Sequence, residues 1–491
     1  MRKFNCLSCF LVLVLIFGMV LPAHAEEKPS LEPEALIEVL EYTRMLHISN
    51  PDDDTLLRGA VEGLIDALGD PHTEYLSPSE LHDFNVSLDG DYVGVGMLLQ
   101  AGEKYPEVIE TIAGTPAMNA GVKPGDRVIR VDGTDVEDEL LAMVVQRIRG
   151  PEGTRVTLTL RREGREDFEL ELERAGIEIP TVNGELLRDN VGYIRVISFG
   201  NETAGEFKKT LIDLVNRGAQ KIILDLRDNP GGILQTAVEI CSNFIAPGRV
   251  VVSIIDRNGV RQEYRTDGVS PCQGMPLAVL VNQNSSSAAE ILAGALQDYE
   301  AAVLVGETTY GKGTVQVMVP LESGGALKIT TARYYTPQDR VIDGTGLAPD
   351  LQVLTPGLQT AAAQLYLEPP EKNKINLQPD GNEVYLNGIP VRAGQPAIRR
   401  QGAVLLSVRF VFEALGCQVH WQAEHEAISI TGNNREIIIY TGPGNITING
   451  RDLTVNTPVC FEGGSVFVPA SILHHLGLKV NTDGKNITIE K

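Results

Sequence analysis

Apolar positions change their spacing repeatedly along the chain, and each change marks a different kind of element. Between residues 28 and 82 they recur at helical intervals. Leu36, Ile37, Val39, Leu40 and Leu46 form one set, and Leu56, Leu57, Ala60, Val61, Leu64, Ile65 and Leu68 a second. Asp52 to Asp54 stand just before Thr55 as helix caps, and Gly69-Asp70-Pro71 breaks the pattern. Residues 84–175 read as short strands, punctuated by Gly121, Pro124-Gly125, Asp132-Gly133 and Gly150, with one helix over about Glu137 to Ile148. Residues 176–368 alternate strand and helix patterns, which predicts an α/β core. Lys221–Leu226, Val250–Ile255, Leu277–Val281 and Ala302–Val305 read as strands, and Leu234–Phe244 as a helix. A small-residue helix is expected from about Ser287, with Ala288, Ala289, Ile291, Leu292, Ala293, Ala295 and Leu296 spaced for packing. The polar, Pro-containing stretch 369–381 is expected as a linker. Residues 382–491 hold an internal repeat of about 60 residues. Asn387-Gly388 matches Asn449-Gly450, and Leu415-Gly416 matches Leu476-Gly477. Each copy is expected to form a strand pair, one helix and a closing strand.

With 491 residues, a prior of about 150 residues per domain predicts about three domains, which with the alternating core makes a multidomain α/β protein. The net charge of −23 disfavours nucleic-acid partners, which call for basic patches. Met1 to Ala25 has the layout of a secretory signal: Arg2 and Lys3, an apolar core Phe10–Leu21, then Ala23-His24-Ala25. The expected location is extracytoplasmic, secreted or at the cell envelope, with an uncleaved anchor as the alternative. Beyond the signal stand Cys241, Cys272, Cys417 and Cys460. They read as buried thiols, with a Cys417–Cys460 bridge as the other option in an oxidising compartment.

Ser287 and Lys312 carry the candidate chemistry. A hydroxyl at a helix start lies in the positive end of the helix dipole, beside free N–H groups suited to an oxyanion. Serine needs a base to become nucleophilic. A lysine serves only when neutral, so its ordinary pKa of about 10.4 must fall through burial or nearby positive potential. In isolation, Ser285 to Ser287 read as helix caps and Lys312 as a turn residue. Gly306 to Gly313 has the spacing of a phosphate-binding loop. However, Gly313 stands where Ser or Thr should hold magnesium, and a strand follows where a helix N-terminus is needed. Asp225-Leu226-Arg227-Asp228-Asn229-Pro230-Gly231-Gly232 follows a buried strand and precedes a helix. Its glycines permit a tight turn that aims N–H groups outward. His72, His474 and His475 show no zinc spacing, so no metal or other cofactor is expected.

Together these pieces resemble the carboxyl-terminal processing peptidases, serine proteases with a Ser-Lys dyad. The resemblance runs from about residue 36 to 355 through five ordered segments: LGDPHTEYLSPSE, then GVGMLL with GTPAMNAGVKPGDRVIRVDG, DLRDNPGG, the serine segment and GETTYGKGTVQ. It implies that Ser287 is the nucleophile, Lys312 the general base and Gln316 the residue orienting the lysine. Ala288 and either Gly231 or Gly232 supply the oxyanion N–H groups. Asp298 matches a supportive position, or is plain helix-end polarity. The family's second serine is replaced by Ala289. Residues 84–175 resemble a PDZ domain in which Val93-Gly94-Val95-Gly96-Met97 grips a peptide's free carboxylate. Arg149 is a candidate link between peptide binding and the protease, or an ordinary surface arginine. The implied core, 176–368, is crotonase-like. The implied partners are proteins or peptides with free C-termini, and a second copy through the N-terminal helices. Residues 382–491 resemble the N-terminal stalk domain of copper amine oxidases, implying an accessory module with a cell-envelope ligand. The rival function is a catalytically silent peptide-binding scaffold.

Overall fold

The computed structural model describes residues 32–81, 84, 91–178, 180–268, 272–322, 324–379, 381, 383–400, 402–432, 435–440, 446–453, 459–483 and 486–490. The signal segment 1–25 lies outside them. Among the described residues no helix is long and apolar enough to cross a membrane. The chain divides into two units, 1–71 and 72–491. The first holds α1 (Pro33–Leu46) and α2 (Asp53–Asp66). Asp52 caps α2 by accepting from the Thr55 N–H at 2.9 Å and its hydroxyl at 2.7 Å.

In the second unit, residues 91–178 make a small β domain with α3 (Pro116–Asn119) and α4 (Leu141–Ile148). The helix expected from Glu137 starts four residues later, because Asp138 takes a left-handed φ of 58° and donates its N–H to Lys104 O. Asp91–Gly94 pairs with Ala175–Glu178, so the domain's entry and exit strands run side by side. Met97–Gln100 forms an edge of the main sheet and, among the described residues, pairs with Glu107–Thr111 alone.

The core is a six-stranded sheet ordered Val182–Leu186, Val191–Val196, Lys221–Asp225, Leu277–Val281, Val303–Gly306 and Leu351–Gln352. The first pair is antiparallel and the rest are parallel. The run Leu277–Val281 is buried at every position, as expected for a strand covered on both faces. Its residues divide by period two. Leu277, Val279 and Val281 join a cluster with α5 (Thr203–Asn216), α6 (Leu234–Cys241) and α7 (Ala288–Asp298). Ala278 and Leu280 join another with α8 (Pro356–Leu367), α9 (Val408–Ala414) and the C-terminal strands. A second, antiparallel sheet contains Thr314–Pro320 and Ala326–Tyr335.

The stretch expected as a linker carries a strand, Lys374–Leu377, paired with Glu383–Leu386 on one side and Ile487–Glu490 on the other. Ile375 and Leu377 are buried, and the polar residues between and around them face out. The repeat is richer than a strand pair, helix and closing strand. In each copy two hairpins lead into the helix, α9 or α10 (Ile472–His475), and a third hairpin follows it. Two five-stranded sheets result, and Lys374–Leu377 occupies in one the place that Arg435–Tyr440 holds in the other. Cys241, Cys272, Cys417 and Cys460 are free thiols. The Cys417–Cys460 alternative is thus not formed, and burial pushes the Cys241 thiol pKa up.

Candidate active site

Three loops meet at one end of the parallel sheet, because the strands before them run in register and in the same direction. Residues 226–232 follow the first strand, 282–287 the second and 307–313 the third. Clefts form at such strand ends.

The serine loop is pinned to the glycine turn. Ser285 Oγ donates to Leu226 O at 2.7 Å, Ser286 Oγ to Pro230 O at 2.8 Å, and the Ser286 N–H to Asn229 O at 3.0 Å. Ser287, held at the N-terminus of α7, has φ 56° and ψ −117°. This backbone region is sparsely populated for a residue with a side chain and persists only where surroundings enforce it. Gly231 must be glycine, since a Cβ there would stand 2.7 Å from Ser287 Cβ. The Gly231 N–H is taken by Asn229 Oδ1 at 2.8 Å. The N–H groups of Gly232 and Ala288 have no acceptor among the described residues. A Cβ at Gly232, with φ 140°, would come 2.3 Å from Phe199 O.

Glu290, fully buried, joins the serine loop to the lysine loop. One carboxylate oxygen accepts Thr309 Oγ1 at 2.5 Å and the Gly311 N–H at 2.8 Å. The other accepts the Ser287 N–H at 3.0 Å and the Lys312 N–H at 2.9 Å. Burial raises its pKa above the ordinary carboxylate value, and the four hydrogen bonds pull the other way. Tyr334, also buried, donates its hydroxyl to Lys312 O, and burial raises its pKa.

A cavity of about 520 Å³ is lined by Ser287, Ala288, Gly231, Gly232, Lys312 and Gln316, with Phe84, Phe199, Ile233, Leu234, Ile291, Val315 and Met318 among its apolar walls. The structure thus brings both members of the expected dyad and their expected neighbours to one apolar cavity. The Gln316 amide nitrogen donates to Thr314 Oγ1 at 2.9 Å and Thr330 Oγ1 at 3.1 Å. Asp298 does not line the cavity. It sits at the far end of α7, about 16 Å along the axis, paired with Arg340 at 2.5 Å and accepting the Gln338 N–H at 2.8 Å. Its place is that of an anchor for the 338–340 loop.

In the small β domain, Val95 is buried and Gly96 has φ 78°. A Cβ at Gly96 would come 2.2 Å from Thr115 Cβ. The Val95 and Gly96 N–H groups have no acceptor among the described residues, and the edge strand from Met97 follows them. Arg149 caps the C-terminus of α4 through its backbone, donating to Val145 O. The guanidinium that clamps this helix is that of Arg174, buried and bonded to Ile148 O at 2.8 Å and Arg147 O at 3.1 Å. It also bonds Thr154 Oγ1 and Arg155 O, both at 2.9 Å.

Glu290, Asn229, Tyr334 and Arg174 were assigned no part in the site from sequence. Glu290 had a signal, since it stands three residues after Ser287 at capping-box spacing. Tyr334 had none, lying 22 residues from its partner Lys312.

Comparison with known proteins gives three family models. Residues 190–353 match peptidase family S41, 107–162 a PDZ domain and 385–491 the copper amine oxidase N-terminal domain. A "Probable CtpA-like serine protease" of Staphylococcus aureus (strain N315) is 36% identical over 311 residues, 63% of this chain and 62% of that protein. The chain therefore spans less than two thirds of that relative. A protein described in the same words from Staphylococcus epidermidis (strain RP62A) is 32% identical over 354 residues, 71% of this chain and 72% of that one. Among solved structures, a photosystem II D1 C-terminal processing protease is 30% identical, covering 65% of this chain and 86% of its own, with a TM-score of 0.41. The PDZ domain of a carboxy-terminal protease from Vibrio cholerae, in complex with peptide, is 32% identical over 18% of this chain and 99% of its own, with a TM-score of 0.17.

Proposed function

The chain belongs to peptidase family S41, and from that premise we propose that it is a serine endopeptidase that captures polypeptide C-termini and cuts with a Ser287–Lys312 dyad. The observation that carries this reading is the shared cavity: a strained serine, a lysine and two N–H groups with no acceptor among the described residues line one apolar space.

Neutral Lys312 takes the proton from Ser287 Oγ as the oxygen attacks the scissile carbonyl carbon. The negative charge that develops on the carbonyl oxygen lies between the Gly232 and Ala288 N–H groups. Of the two glycines, Gly232 takes this role because the Gly231 N–H is already bonded to Asn229. The tetrahedral intermediate collapses, the Lys312 ammonium protonates the leaving amine nitrogen, and an acyl-enzyme remains. Lys312 then deprotonates a water that attacks the ester, and Ser287 recovers its proton. Ile233, Leu234, Ile291 and Val315 exclude water and receive an apolar substrate side chain. Gln316 Oε1 orients the lysine. The domain arrangement 28–82, 84–175, 176–368 and 382–491, with a crotonase-like third part, fits the repeated strand–helix units of the core.

Met97–Gln100 offers an open strand edge to an extended tail, and the Val95 and Gly96 N–H groups bind its carboxylate. Extracytoplasmic placement accords with the bacterial CtpA-like relatives. Pairing of two copies through α1 and α2 and an envelope ligand for 382–491 complete the proposal.

The test compares wild type, Ser287→Ala and Lys312→Arg on an unfolded protein with an apolar tail. Arginine stays charged and cannot act as a base. Both variants should lose turnover while retaining tail-peptide binding. Wild-type cleavage by Ser287→Ala would end the assignment of Ser287 as the nucleophile.

A further inference from the structure

The turn that carries Gly232 rests on a polar chain leading into the C-terminal repeat. Arg227 stands two residues before Asn229. Its Nε and Nη2 grip the buried Asp225 carboxylate at 2.9 and 2.5 Å. Asp225 also accepts the Tyr193 hydroxyl at 2.5 Å and the Arg227 N–H at 3.0 Å. The rest of the guanidinium reaches α8: Gln359 Oε1 at 3.0 Å, Thr360 Oγ1 at 3.2 Å and Pro356 O at 3.4 Å. The strand end and α8 are thus tied by one planar group with fixed donor directions.

The repeat sets α8 in its turn. Glu413, a buried residue of α9, accepts the N–H groups of Leu354 at 3.2 Å and Thr355 at 2.9 Å, just where α8 begins. Backbone packs on backbone there, since a Cβ at Gly357 would lie 1.6 Å from Arg392 O. The apolar side agrees. Leu358 and Ala361 of α8 share one cluster with Ile223, Ala278 and Leu280 of the core sheet and with Phe410 and Phe412 of α9. One buried apolar cluster thus spans the sheet, α8 and the repeat.

We propose that the C-terminal repeat braces the oxyanion turn. Glu413 fixes the start of α8, α8 fixes Arg227, and Arg227 on Asp225 fixes the direction of the Gly232 N–H. The proposal rests on the protease reading above. Arg227 and Glu413 are positioning residues, because neither lines the cavity. The repeat is a working part of the catalytic unit. A site held loosely by about 1 Å loses much of its transition-state stabilisation without losing its donors.

The experiment uses the full chain carrying Glu413→Gln, Thr360→Val, Arg227→Lys or Ser287→Ala. It measures kcat, KM and the affinity for a substrate-derived peptide boronic acid, whose tetrahedral adduct places an oxygen in the oxyanion position. Removing one oxyanion donor outright costs about 10²–10³ in kcat, so a misdirected donor should cost less. Glu413→Gln should lower kcat about 5- to 30-fold and weaken the boronate by a similar factor, with KM within about twofold. A merely structural role would not move the boronate and kcat together at constant KM. Thr360→Val keeps shape and deletes a single contact to Arg227. It decides the matter should Glu413→Gln fail to fold, and it should show the same pattern at smaller size. Glu413 and Arg227 share no contact, so their effects would ordinarily multiply. Coupling through α8 makes Glu413→Gln with Arg227→Lys less damaging than that product. Wild-type kcat and boronate affinity in Thr360→Val and in any folded Glu413→Gln, with Ser287→Ala inactive, would overturn the brace and leave the protease reading standing. Wild-type cleavage by Ser287→Ala would overturn both.

Discussion

Replacing Glu290 with Gln tests the clamp between the serine and lysine loops. The carboxylate receives four donors and is fully buried. An amide retains one accepting oxygen. Its best orientation keeps that oxygen toward the Ser287 and Lys312 N–H groups and turns the NH₂ toward Thr309 and Gly311. Thr309 can adapt, since its hydroxyl oxygen already accepts the Leu347 N–H at 2.7 Å and can accept the amide as well. The Gly311 N–H cannot adapt and is left facing a donor. One buried unsatisfied donor costs about 1–3 kcal/mol. That cost should appear as a lower thermal midpoint. If about 1–2 kcal/mol of it also falls on the transition state, kcat drops roughly 5- to 30-fold, because 1.36 kcal/mol is about tenfold in rate. Glu290→Ala strands all four donors, costing about 4–12 kcal/mol, comparable to the whole stability of a typical domain. That variant should not accumulate as folded protein. Thermal unfolding and steady-state cleavage read both. Glu290→Gln with kcat within about twofold and an unshifted midpoint would refute the reasoning, as would a folded, active Glu290→Ala.

Three further outcomes follow from other parts of the molecule. Gly232→Ala should cut kcat by at least about 10², because the new Cβ meets Phe199 O at 2.3 Å; a peptide cleavage assay suffices. Arg174→Met, read by calorimetric titration with a tail peptide, should weaken binding about tenfold or more, since four carbonyl and hydroxyl acceptors around the end of α4 lose their donor. Unchanged affinity would show that the helix needs no clamp. The amides of Asn284 and then Asn282 hold the Asp228 carboxyl pKa below its ordinary value. A lowered folded pKa adds stability above the unfolded pKa, about 3.9, and loses it as pH falls. The stability difference between wild type and Asp228→Asn should therefore be flat near neutrality and shrink toward pH 3.

Local sequence fixed what depends on near neighbours. Ser287 at a helix start, the glycine turn after a buried strand, and the unbroken apolar run Leu277–Val281 are set by residues within a few positions of each other. The order of the motifs identified the family. Local patterns misled where the burying partner is remote. Lys374–Leu377 read as linker because its two apolar residues, Ile375 and Leu377, gain meaning only beside Ile487–Glu490, more than a hundred residues on. The pairing of Asp298 with Arg340 and the Gln338 N–H likewise emerged only in the tertiary structure. That the Gly231 N–H is occupied, which favours Gly232 in the proposed oxyanion site, depends on where Asn229 Oδ1 points. Glu290 looked like one more helix cap until the chain brought Thr309, Gly311 and Lys312 onto it. Period and turn chemistry act over a turn or two of chain, so the sequence alone determined the strands and helices of the core and the candidate pair. Hydrogen bonds between distant strands' loops act through space, so only the tertiary structure decided which groups hold that pair together.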